Sequence, residues 1–357
     1  MATPKFKNLQ GSTFHQELKR RVNNYFIENK KNSTGNFSLY FKAVFFFLIY
    51  VAGYVHLVFF TPPTWWAILE CLIMGGLTAA IGFNVMHDGS HGSFSNSKFF
   101  NKVATFSINM LGASGIMWNN KHNIIHHTYT NIDGIDDDIE IKPLLRMCPT
   151  QKKYAIHRFQ HIYVWVLYTL LLIVWLFVSD YTKYFRQKVG SVPIKKMSAF
   201  DHFAFWAAKL GYAFMMIALP IYMVGFLSWL VGFLVLTLFA GFVLSIVFQL
   251  AHTVEETAFP VPAADTKIIE NEWAIHQIQT TANFATKNRL ISWLVGGLNF
   301  QIEHHLFPKI SHIHYPEISK IIKKTCDEFN VKYIEYKKMR HAILSHSSYL
   351  RKMGRAD

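Results

Sequence analysis

The histidines of this chain are grouped. There are 18 in 357 residues, and three groups read His87-Asp-Gly-Ser-His91, His122-Asn-Ile-Ile-His126-His127 and Gln301-Ile-Glu-His304-His305. A single His252 stands in Gln249-Leu-Ala-His252-Thr-Val-Glu-Glu. His87 and His91 are four apart, so on a helix they project from one face, one turn above the other. His122 and His126 repeat that spacing, with His127 about 100° further round. Gln301, His304 and His305 follow the same logic at i, i+3 and i+4. Imidazole suits iron, copper, zinc and nickel. A structural zinc site takes four ligands, usually including cysteine. Here eight imidazoles come with no cysteine nearby, too many for one tetrahedral ion. Two ions, each with several imidazoles and an open position, account for the number, whereas a soft copper-storage site would need Met and Cys at these spacings.

A ligating imidazole is oriented through its other ring nitrogen. Asp88, the run Asp136-Asp137-Asp138-Ile-Glu140, Glu255, Glu256 and Glu303 are the acidic candidates for that role. The remaining histidines read differently. His15, His56, His157, His161, His202, His276, His341 and His346 stand alone, as ordinary polar residues beside a membrane. His312 and His314, two apart, do not share a helix face.

The elements that must carry these residues are membrane spans. From Ala43 to Met86 the only charged residue is Glu70, and Thr61-Pro62-Pro63 splits the window into two runs, Leu39–Phe60 and Trp65–Met86. Each is near the ~20 residues a helix needs to cross a bilayer, and the Thr-Pro-Pro turn folds them into a hairpin. The second window, Leu210–Leu250, has no charge and holds Gly225 near its middle. It predicts helices over Phe203–Val224 and Leu227–Leu250, with a kink at Pro220. Ile162–Ser179 is apolar too, but a fifth crossing would strand Lys183, Arg186, Lys188, Lys195 and Lys196 opposite the other basic segments. Four spans put all 36 Lys and Arg on one side, as the positive-inside rule favours. Ile162–Ser179 is therefore expected as a half-inserted or interfacial helix, and Glu70 as an interfacial residue in the first turns of its span.

The expected architecture is an all-α integral membrane protein. Residues 1–38 form a cytosolic N-terminal segment, 39–86 the first hairpin, and 87–202 the first two histidine groups with the interfacial helix 162–179. Residues 203–250 form the second hairpin and 251–357 a cytosolic C-terminal part with the third group. Both termini and the histidines lie on the cytosolic side, where a helical cap holds a di-metal site. No cleavable signal peptide is expected, because residues 1–38 are polar and basic.

Composition agrees. The chain is 51% hydrophobic and 16% charged, with 32 Phe, against roughly 25% charged in soluble domains. Aromatic content excludes disorder. Cys71, Cys148 and Cys326 are too few and too scattered for a disulfide framework or a zinc ribbon. The net charge of +14 is orientation signal and attraction to anionic lipid rather than nucleic-acid binding.

The three groups resemble the histidine boxes of the membrane fatty acyl desaturases, in the order HxxxH, HxxxHH and QxxHH, and the resemblance covers Leu39 to about Ile334. Gln301 in place of a histidine, within Asn299-Phe-Gln-Ile-Glu-His-His-Leu-Phe-Pro308, resembles the front-end (delta-5/delta-6) branch, as do Trp273 and Thr280-Thr281-Ala-Asn283. His252 matches an extra ligand histidine after the fourth span. The resemblance implies a metal set of His87, His91, His122, His126, His127, His252, Gln301, His304 and His305, holding two non-haem iron ions with O2 as co-substrate. It further implies insertion of a cis double bond into a fatty acyl-CoA or acyl-lipid. Hydroxylases, ketolases and acetylenases with the same boxes are the alternative.

Many front-end relatives carry a fused cytochrome b5 domain with a His-Pro-Gly-Gly motif, which residues 1–38 lack. The expected donor is therefore a separate protein, cytochrome b5 or a ferredoxin. Lys19-Arg20-Arg21 and the stretch with Lys323, Lys324, Lys337, Lys338 and Arg340 are candidates to attract it, or to attract lipid headgroups. A transporter would want ionisable groups at mid-membrane, and a haem carrier would want paired histidines deep in the bundle; the spans offer only Glu70 and the histidines stand at helix ends. An unactivated methylene gives side-chain acids and nucleophiles nothing to attack, so the difficult chemistry belongs to a cofactor.

Overall fold

A computed structural model describes residues 4–7 and 13–356. Of the expected N-terminal segment, residues 1–3 and 8–12 lie outside the described residues, as does Asp357. The described chain is mostly helical: α1 (Phe14–Glu28), α2 (Phe37–Phe60), α3 (Thr64–His91), α4 (Lys98–Met110), α5 (115–129), α6 (Ala155–Thr169), α7 (Leu171–Arg186), α8 (Ala199–Val224) and α9 (Phe226–His252), then α10 (Trp273–Gln279), α11 (Arg289–Leu294), α12 (Gln301–Leu306), α13 (Tyr315–Glu328) and α14 (Met339–Arg355). Its strands are two-residue ladders.

Four helices are long and apolar enough to cross a membrane: α2, α3, α8 and α9. Their ends follow local chemistry. The α2–α3 turn places Thr61 at φ 44° before Pro62-Pro63, and Gly225 reverses the chain between α8 and α9 at φ 84°, a conformation that costs glycine nothing. Ser198 and Asp201 cap α8 reciprocally. Pro220 has no N–H for the carbonyl of Met216, and Trp229 Nε1–H donates to that oxygen instead, at 2.8 Å. The carbonyl that the proline leaves without its α-helical donor is thus satisfied across to α9.

α3 and α9 form the axis of the bundle. A Cβ on Gly75 would stand 2.6 Å from the Leu236 carbonyl oxygen, so the two helices meet backbone to backbone, a contact small residues permit. Both run past the apolar stretch into histidines, α3 ending at His91 and α9 at His252. α6 and α7 meet at Leu170 with a 61° bend and pack against α9; Ser245 Oγ donates to the Tyr168 carbonyl at 3.1 Å. The reading of the eight single histidines as residues standing alone needs correction. His56 Nδ1 is paired with Glu70 at 2.8 Å. His157, His276 and His346 are buried rather than interfacial; His346 bonds Tyr168 Oη and Thr253, and His157 bonds the Pro143 carbonyl.

Candidate metal centre

Each histidine group is placed by a different device. α3 widens to π-helical turns over Gly82–Met86 immediately before His87. Asn84 in that stretch donates to the carbonyls of Ala80 and Leu294, tying α3 to α11. The second group departs from expectation. Asn119–His126 is π-helical, a wider turn than the α-helix, so residues four and five apart both return to the same side. His127, not only His126, comes back onto His122, with Nε2 atoms 3.3 Å apart. His122 and His126 share a face as expected, and the wider turn brings His127 nearer to that face than an α-helical offset of about 100° would. α12 starts where Asn283 Oδ1 accepts from the Ile302 N–H at 2.9 Å, and it is buried along its whole length.

The expected residues converge. His87, His91, His122 and His304 offer ring nitrogens all within 4.8 Å of one another, and so do His126, His252 and His305. His127, His304 and His305 form a third such set, placing His127 and His304 between the first two. His87 and His122 approach to 3.1 Å between Nε2 atoms. Two nitrogens bound to one ion at about 2.0–2.1 Å stand about 2.9–3.4 Å apart for angles between square and tetrahedral, so this spacing suits a shared ion. Gln301 is buried in the same helix as His304 and His305, with its amide nitrogen unpartnered.

The tautomers follow from the outer contacts. His126 Nδ1 faces Asp136 at 3.1 Å, His252 Nδ1 the Thr280 carbonyl at 3.1 Å, His304 Nδ1 the Tyr315 hydroxyl at 3.2 Å and His305 Nδ1 Gln277 Oε1 at 2.8 Å. The carboxylate, carbonyl and amide oxygens only accept and so leave the lone pair on Nε2 of His126, His252 and His305, and the Tyr315 hydroxyl is able to accept in the same way from His304. Those same four Nε2 atoms are buried with no hydrogen-bond partner. Buried polar atoms are ordinarily paired, so four lone pairs turned inward without partners fit a cation. Burial, reinforced by neighbouring imidazoles, holds His122, His127, His304 and His305 well below the ordinary histidine value. They are neutral, the state ligation requires. For His126 burial pulls the same way, but the Asp136 and Asp138 carboxylates outweigh it and hold the ring above its ordinary value.

Of the acidic candidates, Asp136 and Asp138 reach a histidine of the cluster. Asp88 instead takes Ser311 and His312, Glu303 takes Asn283 and Tyr333, Glu140 binds Lys142, Glu255 binds Ser348 and Glu256 binds Lys332. The other orienting groups, Gln277, Thr280 and Tyr315, carry no charge and went unnoticed for that reason, although Thr280 stands in a stretch already singled out. Trp273 of the same context donates to the His127 carbonyl at 3.1 Å.

Beside His87 lies an apolar cavity of about 30 Å³, lined by Thr78, Phe83, Met86, Trp118, Trp175 and Phe248 among others. Two of its aromatics, Phe83 and Phe248, come from α3 and α9, and the tryptophans come from α5 and α7. Trp118 stacks on His122 at 4.5 Å and on Trp175 at 5.2 Å. A larger cavity of about 430 Å³, between α2, α3, α8 and α9, holds no histidine.

Fold and site together define a helical membrane protein with clustered histidines able to hold metal. The fatty acid desaturase family profile matches residues 63–337. The chain is 36% identical to the sn-1 linoleoyl-lipid 6-desaturase of Synechocystis sp., over 100% of both chains. It is 35% identical to the enzyme of that name from Arthrospira platensis, covering 96% of this chain and 92% of the relative. It is also 35% identical to the acyl-lipid (8-3)-desaturase of Physcomitrium patens, covering 99% of this chain and 74% of that one. The chain belongs to the fatty acid desaturase family.

Proposed function

We propose that this protein inserts a cis double bond into the acyl chain of a membrane lipid, as a front-end desaturase, at two iron ions with O2 as co-substrate. The observation that carries this reading is the set of inward, unpartnered Nε2 atoms on His126, His252, His304 and His305. His87, His91, His122 and His304 would hold one ion, and His126, His252 and His305 the other, with His127 between them and Gln301 beside the second. Bound there, the ions supply the O2-dependent oxidation that an unactivated methylene demands. The chain's own residues fix the ring planes, and burial keeps His122, His127, His304 and His305 neutral. A hydrocarbon would approach beside His87, where Phe83, Trp118 and Phe248 must turn aside, since the cavity has room for about one water.

In this reading α2–α3 and α8–α9 are two transmembrane hairpins, over residues 39–86 and 203–250. Segments 1–38, 87–202 and 251–357 lie on the cytosolic side and cap the site, with 162–179 half-inserted. Basic residues confined to one side support that orientation. Electrons come from a separate donor, cytochrome b5 or a ferredoxin, and nucleic acid is no partner. The test is expression in a host fed defined fatty acids, with double-bond positions mapped by mass spectrometry. New unsaturation is expected; a product carrying an added oxygen instead would move the protein to the hydroxylase reading.

A further inference from the structure

A parallel ladder pairs Asn283–Phe284 with Glu335–Tyr336, closed by the Ala285 N–H on the Tyr336 carbonyl at 2.8 Å. The chain leaves both strands through cations: Lys287 and Arg289 after the first, Lys337, Lys338 and Arg340 after the second. All five are exposed, and none is in an ion pair with a described residue. Glu335 in the ladder is taken by Lys323 and Thr286. Arg20 and Arg21, by contrast, bind Glu17, and Arg21 also binds Glu328.

Arg289 opens α11, whose Leu290, Trp293 and Leu294 are 66%, 42% and 43% exposed. Trp293 lies against Phe46 of α2 at 5.1 Å, with Lys42 over its ring at 4.8 Å. The Leu294 carbonyl holds Asn84 of α3. The apolar side chains of α11 thus continue the lipid-facing surface of the first two candidate spans, and the five cations stand beside them. Apolar side chains at the acyl boundary with unpaired cations next to them match an anionic lipid in both parts.

We propose that Lys287, Arg289, Lys337, Lys338 and Arg340, with Leu290, Trp293 and Leu294, form a binding surface for anionic lipid headgroups at the membrane face on which the histidine cluster lies. This rests on the membrane reading and not on the reaction. The experiment uses the full chain in uncharged detergent, with dioleoyl phosphatidylglycerol or dioleoyl phosphatidylcholine added and bound lipid counted by native mass spectrometry. Wild type should retain phosphatidylglycerol in preference, and less of it as salt rises. Each cation is worth about fivefold. The variant K337Q/K338Q/R340Q should therefore bind phosphatidylglycerol on the order of a hundredfold more weakly and phosphatidylcholine unchanged, with K287Q/R289Q as the second variant should the first fail to fold. Equal retention of the two lipids by wild type overturns the proposal. So does a folded variant that keeps its preference, or one that loses affinity for an acidic redox protein while its lipid binding stays intact. The readout is lipid retention, so its failure leaves the desaturase reading standing, and a missing product in the feeding assay leaves this one standing.

Discussion

Gln277 is the sharpest place to test how the centre is held. It is fully buried on α10, and its Oε1 accepts from His305 Nδ1 at 2.8 Å and lies 3.0 Å from Thr130 Oγ1. Gln277→Leu removes the acceptor at nearly constant volume and leaves the His305 N–H buried. An unsatisfied buried donor costs about 1–3 kcal/mol, which corresponds to about 5- to 150-fold in an equilibrium constant. Groups that orient ligating histidines are worth about 10–100-fold in metal affinity or activity. Thr130 Oγ1 lies 3.4 Å from the same nitrogen and already donates to the His126 carbonyl, so it can take over part of the lost bond. About tenfold is the expected loss. Gln277→Glu keeps an oxygen acceptor for the His305 N–H and loses an amide nitrogen that has no partner; the carboxylate it adds makes the ligating ring more basic, so it should hold metal better than the Leu variant. The assay is metal per chain after equilibration against graded chelator, with product measured in parallel. If the Leu variant tracks wild type at every chelator concentration, His305 does not owe its orientation to Gln277.

His126→Ala or His304→Ala should abolish product while protein level persists; turnover in either would contradict the ligand assignment. Gly75→Ala forces a Cβ to 2.6 Å from a backbone oxygen and should destabilise the bundle by about 1–3 kcal/mol, seen as a lower thermal midpoint in detergent. Metal-free protein should lose stability in acid. His122, His127, His304 and His305 have folded values well below 6.5, so the unfolded chain binds more protons as pH falls under that value and stability falls with it. His126 works the opposite way, its contribution being full below 6.5 and lost as pH rises through its raised folded value; the lowered histidines outnumber it, so a midpoint higher at pH 5.5 than at pH 8 would refute the argument.

The histidine groups and the spans were legible because each has a local signature: imidazoles at helical spacing, and long windows free of charge. Convergence of the groups followed from their common position at helix ends. The π-helical turns under His122–His127 were not legible, since nothing in Asn-Asn-Lys-His-Asn-Ile-Ile-His distinguishes a return after five residues from one after four. The orienting partners divide by charge. Asp136 and Asp138 were visible as carboxylates ten and twelve residues from His126, whereas Tyr315 and Gln277 act as neutral acceptors from other elements. Asp88 misled because adjacency to His87 says nothing about direction: on α3 it points away, to His312.

Assembly of the cluster has a consequence for stability. The first four-histidine set joins α3 to α5 and α12, and the second joins α9 to the same two helices. Each ion position therefore ties one spanning helix to a shared pair of helices outside the spans. α3 and α9 also touch directly at Gly75 and Leu236, which closes a ring of contacts: span to span, and each span to α5 and α12. Ligands that bind only the folded state stabilise it by mass action, and two ions held at these positions would both act on one closed ring. Loosening α3 from α9 at Gly75 should therefore weaken metal retention at both positions together, although the substitution lies three helical turns from His87. Loss at one position alone would mean that the helices outside the spans hold their histidines in place without the bundle.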